Sequence, residues 1–257
     1  MALVEYEAKD RIGFLTLNRP TKRNALSHEL VTELLLGFQK AASDDSVKVI
    51  VLRANGETFC AGADLVYLQQ MQKFSYEENL SDSLQLKELF LQIYTSKKVV
   101  IAQVQGAALA GGCGLITVCD FVFAVPEAKF GYTEVKIGFV PAIVMVFLLR
   151  KIGEARAREL LLTGNLISAE EAKLTGVVTR VVDKNMLQQE VLEFARQLIS
   201  TASAQSLALT KQMISDVQQL PLEEALDFAA RQNAHARSTD DCKRGIEAFL
   251  QKQTLKW

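Results

Sequence analysis

The chain lacks a strong excess of charge of either sign. Its 29 lysines and arginines nearly balance 30 aspartates and glutamates, which gives a formal net charge of −1 at pH 7. No global basic field is therefore available to attract nucleic acid or an anionic membrane. We expect no nucleic-acid partner, and any anionic ligand has to be bound by a few local cations.

Long apolar runs are also missing. The longest run, around residues 139–149, contains Pro141 and is shorter than the ~20 residues that a membrane-spanning helix needs. The N-terminal residues show neither the layout of a secretory signal nor the Arg- and Ser-rich character of a transit peptide. We therefore expect a cytoplasmic protein with no membrane partner.

Cysteine and histidine are scarce. No zinc-binding spacing and no disulfide framework fits the four cysteines, which are Cys60, Cys113, Cys119 and Cys242. We expect no metal site, and the apolar neighbours of Cys113 and Cys119 indicate small buried residues in a reducing compartment. The two histidines, His28 and His235, fall at a helix start and in a C-terminal helix, where a structural or exposed position is more common than a catalytic one.

What the sequence does contain is enough apolar material for a large core. Apolar residues make up 49% of the 257 residues and charged residues 23%, which is ordinary for a globular protein. Strand-like and helix-like segments alternate up to about residue 190, and this alternation predicts an α/β fold with largely parallel strands. A purely helical pattern follows. The chain is long enough for one large domain or for a core with an appendage.

The predicted strands cover residues 3–8, 11–18, 47–54, 99–106 and 121–125. Predicted helices run from the N-cap Ser27 to about Ala42, over 80–97, and over 184–200, 203–216, 221–237 and 239–252.

Two small-residue loops stand out, each directly after a buried strand. The first is FCAGAD (59–64), and the second is GAALAGGCG (106–114), which opens a helix. Such loops let a ligand approach the backbone closely, although each alone is weak evidence and is better explained as a tight turn or as close helix–sheet packing. Together they can face one another at a sheet edge and donate two N–H groups to one oxygen, as an oxyanion hole does.

A third segment, FGYTEVKIGFVPA (130–142), places one carboxylate in apolar surroundings. Glu134 lies between Tyr132 and Ile137. Desolvation there would raise its pKa, which suits acid–base catalysis. The residue pattern is equally compatible with an exposed helix-cap glutamate or a partner of Lys136.

Taken together, these segments resemble the crotonase, or enoyl-CoA hydratase/isomerase, superfamily. The resemblance covers nearly the whole chain and rests on motifs in the expected order: LNRPTKRNALS (17–27), TFCAGADL (58–65), QVQGAALAGGCGLITVCDF (103–121), AKFGYTEVKIGFVP (128–141) and LLLTGNLISAEEAKLTGVVTRVV (160–182). It implies an α/β fold with a spiral core of ββα units over residues 1–195 and a C-terminal helical trimerisation region over 196–257. It also implies a homotrimer or a dimer of trimers.

The same resemblance implies an acyl-CoA substrate, with no cofactor apart from the coenzyme A of the substrate itself. The backbone N–H groups of Ala63 and Gly111 would form the oxyanion hole, and Glu134 would be the acid–base group. Lys22, Arg23 or a C-terminal lysine could meet the phosphates. The expected substrate-binding positions are Arg23, Ala25, Leu26, Ala61, Asp64, Leu65, Gly114 and Tyr132.

The chain departs from the hydratases of the superfamily at one position. Those enzymes use two glutamates, and this chain keeps the second as Glu134 but has Gly114 at the first. It also has PAIVMVF (141–147) in place of a glycine-rich turn, which predicts a bulkier and more apolar pocket wall. We expect a gap at Gly114, in which an ordered water held by another polar group could restore a hydratase mechanism. Tyr132 and Glu57 are the candidate substitutes.

Several functions remain open from the sequence. A single glutamate suits a proton shift along the acyl chain, as in an enoyl-CoA isomerase, whereas most of the chain resembles enoyl-CoA hydratases of fatty-acid or branched-chain acyl-CoA metabolism. A decarboxylase of the same fold, which depends mainly on the oxyanion hole, is an alternative. A non-catalytic acyl-CoA-binding subunit is another, although the retained Glu134 argues against it.

Overall fold

The computed structural model describes residues 2–257. Nine strands lie within this range: β1 (Val4–Lys9), β2 (Ile12–Leu17), β3 (Val49–Ala54), β4 (Val99–Val104), β5 (Ala108–Leu109), β6 (Phe121–Ala124), β7 (Lys129–Gly131), β8 (Ile167–Ser168) and β9 (Arg180–Val181). The α-helices are α1 (His28–Ser43), α2 (Leu65–Met71), α3 (Tyr76–Tyr94), α4 (Gly111–Thr117), α5 (Ala142–Ile152), α6 (Glu154–Thr163), α7 (Ala169–Thr175), α8 (Leu187–Thr201), α9 (Ala204–Val217), α10 (Leu222–Ser238) and α11 (Asp240–Leu250).

The central sheet has six strands in the order β1-β2-β3-β4-β6-β9. β1 and β2 form an antiparallel hairpin, and every other neighbouring pair in this sheet is parallel. All six residues of β2 and the first four of β3 and β4 are buried, as expected for strands covered on both faces. The prediction of an α/β fold with mainly parallel strands is therefore confirmed.

A second, three-stranded sheet has the order β5-β7-β8. These strands have only two or three residues each and are absent from the strands predicted above. Short strands contribute too little hydrophobic periodicity to be recognised from sequence. They nevertheless matter for the site, because β5 and β7 pair in parallel and connect the segment before α4 to the segment before Glu134.

The predicted long helix over 80–97 is displaced along the chain. α3 begins at Tyr76 and ends at Tyr94. Its start is set by a capping box, in which the side chain of Ser75 accepts from the N–H of Glu78 and the Glu78 carboxylate accepts from the N–H of Ser75. The apolar residues alone predict a later start, because the capping signal is polar and lies before the first of them. The predicted start of α1 at Ser27 is confirmed, and its side chain accepts from the Leu30 N–H at 3.4 Å.

The C-terminal part of the chain is helical, as predicted. The predicted division between residues 195 and 196 falls inside α8, whose Leu187, Val191, Ala195 and Ile199 are buried and whose neighbours include β3, β4 and β6. The two-part division of the chain stays a prediction. α10 and α11 pack on α9, and α10 contains no buried residue. No helix of the described chain has both the length and the apolar character needed to cross a membrane.

Candidate active site

The two small-residue loops lie against each other at one edge of the central sheet. They follow β3 and β4, which are parallel neighbours, so both loops leave the sheet at the same edge. The N–H of Cys60 donates to the carbonyl of Ala107 at 3.1 Å, and the N–H of Leu109 donates to the carbonyl of Cys60 at 2.9 Å. The loops therefore face one another, as the sequence predicted.

Glycine is what allows this close approach. A Cβ on Gly106 would lie 1.8 Å from the carbonyl oxygen of Glu57, and one on Gly112 would lie 2.4 Å from the carbonyl oxygen of Cys60. Gly62 has a φ of +90°, a backbone conformation that residues with a Cβ rarely adopt. Three glycines thus hold the first loop against the second at distances that no other residue type would permit.

We predict that Gly112→Ala destabilises the protein although alanine favours helices. The added methyl group meets a backbone carbonyl, and overpacking of this kind costs about 1–3 kcal/mol or more, against a gain in helix propensity of at most about 1 kcal/mol. Gly245→Ala in α11 is the matched control, because its Cβ would be 3.4 Å from the nearest heavy atom, an ordinary contact. Thermal denaturation should show a lower Tm for the first variant and an equal or higher Tm for the second. Equal behaviour of the two variants would contradict the observed packing.

Two backbone N–H groups are free at the junction of the loops. Leu26 and Ala63 form an isolated parallel bridge, but its bonds run from the Leu26 N–H to the Gly62 carbonyl and from the Asp64 N–H to the Leu26 carbonyl. The N–H of Ala63 itself therefore makes no hydrogen bond within residues 2–257, and Ala63 is exposed. This is one of the two donors that the resemblance implies.

Gly111 supplies the second free N–H. It is the first residue of α4, where an N–H has no acceptor within the helix. The preceding residue, Ala110, has φ 48° and ψ −124°, a conformation that is strained for a residue with a side chain. Its N–H donates to the carbonyl of Gly131 at 2.8 Å, which ties the start of α4 to β7. The backbone at the start of α4 is thus held in an unusual conformation.

Glu134 is buried, contrary to the reading of it as an exposed helix cap. It begins a short 3₁₀ turn over Glu134–Ile137, and only 8% of its surface is exposed. Its Oε2 atom has no hydrogen-bond partner within residues 2–257. Burial raises the pKa of the carboxyl above its ordinary 4.5, and only a hydrogen bond from its own backbone opposes this shift. No charged side chain contributes to the shift, so the carboxyl is unpaired.

The polar neighbours of Glu134 stay neutral near pH 7. Burial raises the pKa of the Cys113 thiol to about 12 and the pKa of the Tyr132 hydroxyl well above its ordinary value. Tyr132 is 1% exposed, and its hydroxyl shares a 2.6 Å hydrogen bond with Thr117 Oγ1. The thiol and the hydroxyl therefore keep their protons, which leaves the carboxyl of Glu134 as the candidate acid–base group.

The two substitutes considered for the missing glutamate are not placed to hold a water. The Tyr132 hydroxyl is enclosed and already bonded to Thr117, and Glu57 lies exposed on the loop. The sequence showed that Tyr132 is near Glu134 but did not show that its hydroxyl is bonded to Thr117. A contact of Tyr132 with the substrate stays a prediction.

The expected gap at Gly114 does not exist. A Cβ at this buried glycine would lie 2.6 Å from Cγ2 of Val144 and 2.8 and 3.0 Å from Cε2 and Cζ of Phe90. Phe90 is fully buried and Val144 is 4% exposed. Residues 141–147 do place bulky apolar side chains here, with Val144 against Gly114 and Phe147 against Phe90, and Val144 occupies the space expected to be open. Their role as a wall of the substrate pocket stays a prediction.

The carboxylate of Asp64 is already bonded within the protein. The side chain accepts from the N–H groups of Val66 at 2.8 Å and Tyr67 at 3.1 Å, and it forms a 2.7 Å ion pair with Arg19. Burial raises its pKa, but the bonds from Tyr67, Arg19 and Val66 outweigh burial and keep the pKa below its ordinary value. Any contact of Asp64 with coenzyme A would therefore involve its backbone, since the carboxylate caps α2 and anchors the Ala63 loop.

The other expected binding positions surround the first loop. Arg23 is exposed in a left-handed turn with φ 53°, and Leu65 is 72% exposed. Ala25 and Leu26 are nearly buried, and the N–H of Ala61 donates to the carbonyl of Arg23 at 3.0 Å. The structure thus brings these five residues together beside Ala63, and their contact with coenzyme A stays a prediction.

Two residues of this region were missed from the sequence. Asn24 is fully buried, and its side chain accepts from the Arg19 N–H and donates to the carbonyls of Asn55 and Thr58. An asparagine shortly after Pro20 is a recognisable turn signal, because asparagine tolerates positive φ, and Asn24 has a φ of 52°. Phe90 gave no such signal, since it is one of several apolar residues on α3 and only the tertiary packing brings it to Gly114.

No group of three or more His, Cys, Asp or Glu side chains that could hold a metal ion occurs in residues 2–257. The donors of this site are instead backbone N–H groups and one carboxyl. The arrangement can hold a carbonyl oxygen that gains negative charge, with a proton acceptor nearby.

Comparison with known proteins agrees with this geometry. The sequence profile described as enoyl-CoA hydratase/isomerase matches residues 7–257. A Thermus thermophilus protein whose name places it among the enoyl-CoA hydratases is 42% identical over 245 residues, which cover 95% of this chain and 96% of that protein. A crotonyl-CoA hydratase of Syntrophomonas wolfei is 32% identical over 249 residues, which cover 96% and 94%.

The fold also matches a solved structure of the same type. A Legionella pneumophila protein described as an enoyl-CoA hydratase/isomerase (crotonase) superposes with a TM-score of 0.90 at 38% identity, over 99% of this chain and 98% of that one. The predicted crotonase-like core of ββα units is therefore confirmed. The chain belongs to the enoyl-CoA hydratase/isomerase family and is an enzyme of acyl-CoA metabolism.

Proposed function

We propose that the enzyme stabilises the enolate of an acyl-CoA thioester and moves a proton next to it with a single carboxyl group. The N–H groups of Ala63 and Gly111 hold the thioester oxygen, and Glu134 exchanges the proton. The observation that carries this proposal is the buried, unpartnered Glu134, which follows the strand that the Ala110–Gly131 hydrogen bond ties to the free N–H at the start of α4. Each such donor is worth roughly 3–4 kcal/mol in the transition state of acyl chemistry.

Of the reactions open to this site, migration of a double bond fits the geometry best. Glu134 removes a proton from C2 of a 3-enoyl-CoA, the electron pair delocalises into the thioester, and the same carboxyl returns the proton at C4. The product is a 2-enoyl-CoA, and no atom is gained or lost. One carboxyl suffices for this reaction, because removal and return of the proton occur in sequence.

Hydration of a 2-enoyl-CoA is the second candidate. The Thermus and Syntrophomonas relatives are named as hydratases, and this likeness favours it. Glu134 would have to deprotonate the water and also supply the proton to C2. Phe90 and Val144 occupy the space where a second carboxyl would share this work, so we expect hydration to be the slower reaction.

Parallel assays with a 3-enoyl-CoA and a 2-enoyl-CoA distinguish the two reactions. Migration creates a double bond conjugated with the thioester and raises its ultraviolet absorbance, whereas hydration removes the conjugation and lowers it. We expect a rise with the first substrate and a much slower fall with the second. A fast fall with no rise would identify a hydratase, and loss of carbon dioxide from a carboxyacyl-CoA would identify the decarboxylase alternative.

We further propose that coenzyme A lies along the first loop with its phosphates near the exposed Lys22 and Arg23. No separate cofactor is needed, because the thioester itself provides the activation. The enzyme would work in the cytoplasm, where a reducing environment suits its buried free thiols at Cys60, Cys113 and Cys119. Binding of coenzyme A to Arg23→Ala, measured by calorimetry, should be weaker than to the wild type.

We also propose that copies of the chain associate into trimers or dimers of trimers through the C-terminal helices. Leu222 and Leu226 on α10 are 78% and 63% exposed, and Phe249 and Leu250 on α11 are 82% and 73% exposed. Apolar side chains exposed in such numbers are typical of association surfaces. Light scattering coupled to size-exclusion chromatography should give a mass of three or six chains. A monomer at micromolar concentration would contradict the proposal.

A further inference from the structure

We infer that Phe90 and Val144 determine which reaction this enzyme performs, by closing the position from which a second acid–base group would reach the substrate. The inference rests on the proposed site at Ala63, Gly111 and Glu134, but its stability test does not depend on activity. It assigns a role to two apolar residues that do not themselves exchange protons.

Position 114 is next to the reacting carbonyl by helix geometry. It lies three residues after Gly111 on α4, and residues three apart share one face of a helix. Side chains on a helix lean towards its N-terminus, so a side chain at 114 would point back towards the free N–H of Gly111. A side chain at 114 would therefore lie one helical turn from the free N–H of Gly111.

Three helices close this position. Phe90 comes from α3, Val144 from α5, and Gly114 from α4 between them. The Phe90 ring is fixed in turn by an edge-on contact with Phe147, whose ring centroid is 6.4 Å away. Because the nearest atoms lie 2.6 to 3.0 Å from a Cβ at 114, even alanine would require the neighbours to move. The longer side chain of a glutamate would require a larger movement still.

The closed position has a chemical consequence. Addition of water to a 2-enoyl-CoA needs one group to deprotonate the water while a proton reaches C2. With position 114 closed by apolar atoms, no second carboxyl can join Glu134 from α4. Double-bond migration needs only that one group, so the packing of Phe90 and Val144 selects migration over hydration. Replacing Gly114 alone should therefore not create a hydratase.

Three variants test this inference. Gly114→Glu alone should lower the Tm and should not form hydroxyacyl-CoA, because the side chain does not fit. Gly114→Glu combined with Phe90→Leu and Val144→Ala removes the obstructing Cε2, Cζ and Cγ2 atoms. Gly114→Gln with the same two changes is the matched control, since it has the same shape without an acid–base group. We expect the triple variant with Gly114→Glu to hydrate 2-enoyl-CoA at least tenfold faster than the triple variant with Gly114→Gln.

Stability supplies a second readout if the glutamate variants fold poorly. Gly114→Ala should lower the Tm by much more in the wild type than in the Phe90→Leu/Val144→Ala background. Equal losses in the two backgrounds would show that these residues do not close position 114. Two other results would overturn the inference. One is a Gly114→Glu single variant that folds and forms hydroxyacyl-CoA. The other is a triple variant with Gly114→Glu that hydrates 2-enoyl-CoA no faster than the triple variant with Gly114→Gln. Failure of double-bond migration in the wild type would instead reject the proposed function and leave the stability result unaffected.

Discussion

Glu134→Gln should lower the kcat for double-bond migration by roughly 10²–10⁴-fold, the usual contribution of a positioned acid–base group. Glutamine has the same shape as glutamate but cannot exchange the proton, so binding of the acyl-CoA and KM should change little. Glu57→Gln is the matched control, because Glu57 lies on the adjoining loop with its side chain exposed. Steady-state kinetics with a 3-enoyl-CoA check both variants. Full activity of Glu134→Gln would remove Glu134 from the mechanism.

The same substitution should make the folded protein more stable at neutral pH. The pKa of Glu134 is raised above 4.5 in the folded protein, so the folded state holds this proton more tightly than the unfolded chain does. Stability is therefore lost as the pH rises from about 4.5 through the folded pKa. Glutamine removes this loss, and the Tm of Glu134→Gln should exceed that of the wild type at about pH 8 but not below about pH 4. A lower Tm at pH 8 would contradict the assignment of an unpaired buried carboxyl.

Gly111→Pro should reduce kcat by roughly 10²–10³-fold relative to Gly111→Ala, the effect of losing one oxyanion donor. Proline has no N–H and is well tolerated at the first position of a helix, where no intrahelical bond is lost. Alanine keeps the N–H and introduces the same Cβ, which in both variants meets only the end of the Leu26 side chain at 2.9 Å.

The comparison of these two Gly111 variants isolates the N–H group. Circular dichroism and Tm values should be measured for both, because the strained Ala110 precedes the substitution. If both variants fold and have the same kcat, the N–H of Gly111 does not hold the thioester oxygen. A similar loss in both variants, with normal folding, would indicate that the Cβ and not the N–H is responsible.

Local patterns of the sequence were sufficient to predict the two loops that form the site. The apolar strands β3 and β4 and the glycine-rich segments after them predicted two loops at one sheet edge, and the structure places them there. Ser27 predicted the start of α1 because a side-chain cap is a local interaction. Local patterns left open whether Glu134 is exposed or buried, since its burial depends on distant segments such as α6, which packs against the 3₁₀ turn.

What the sequence did not reveal depends on contacts between distant segments. The closing of position 114 joins residues 90, 114 and 144, and no local pattern links α3 to α4 and α5. The Arg19–Asp64 ion pair and the Thr117–Tyr132 hydrogen bond are of the same kind. The sequence motifs place Asp64 and Tyr132 near the site, but only the fold shows that their polar atoms already have partners within the protein.

The most direct test of the single-carboxyl mechanism is the mass of the product formed from a 3-enoyl-CoA in ¹⁸O-labelled water. Migration by Glu134 alone adds no water, so the account predicts an unlabelled 2-enoyl-CoA with the mass of the substrate as the main product. An ¹⁸O-labelled 3-hydroxyacyl-CoA, formed as fast as the double bond moves, would show that water is activated at the site and would contradict the account.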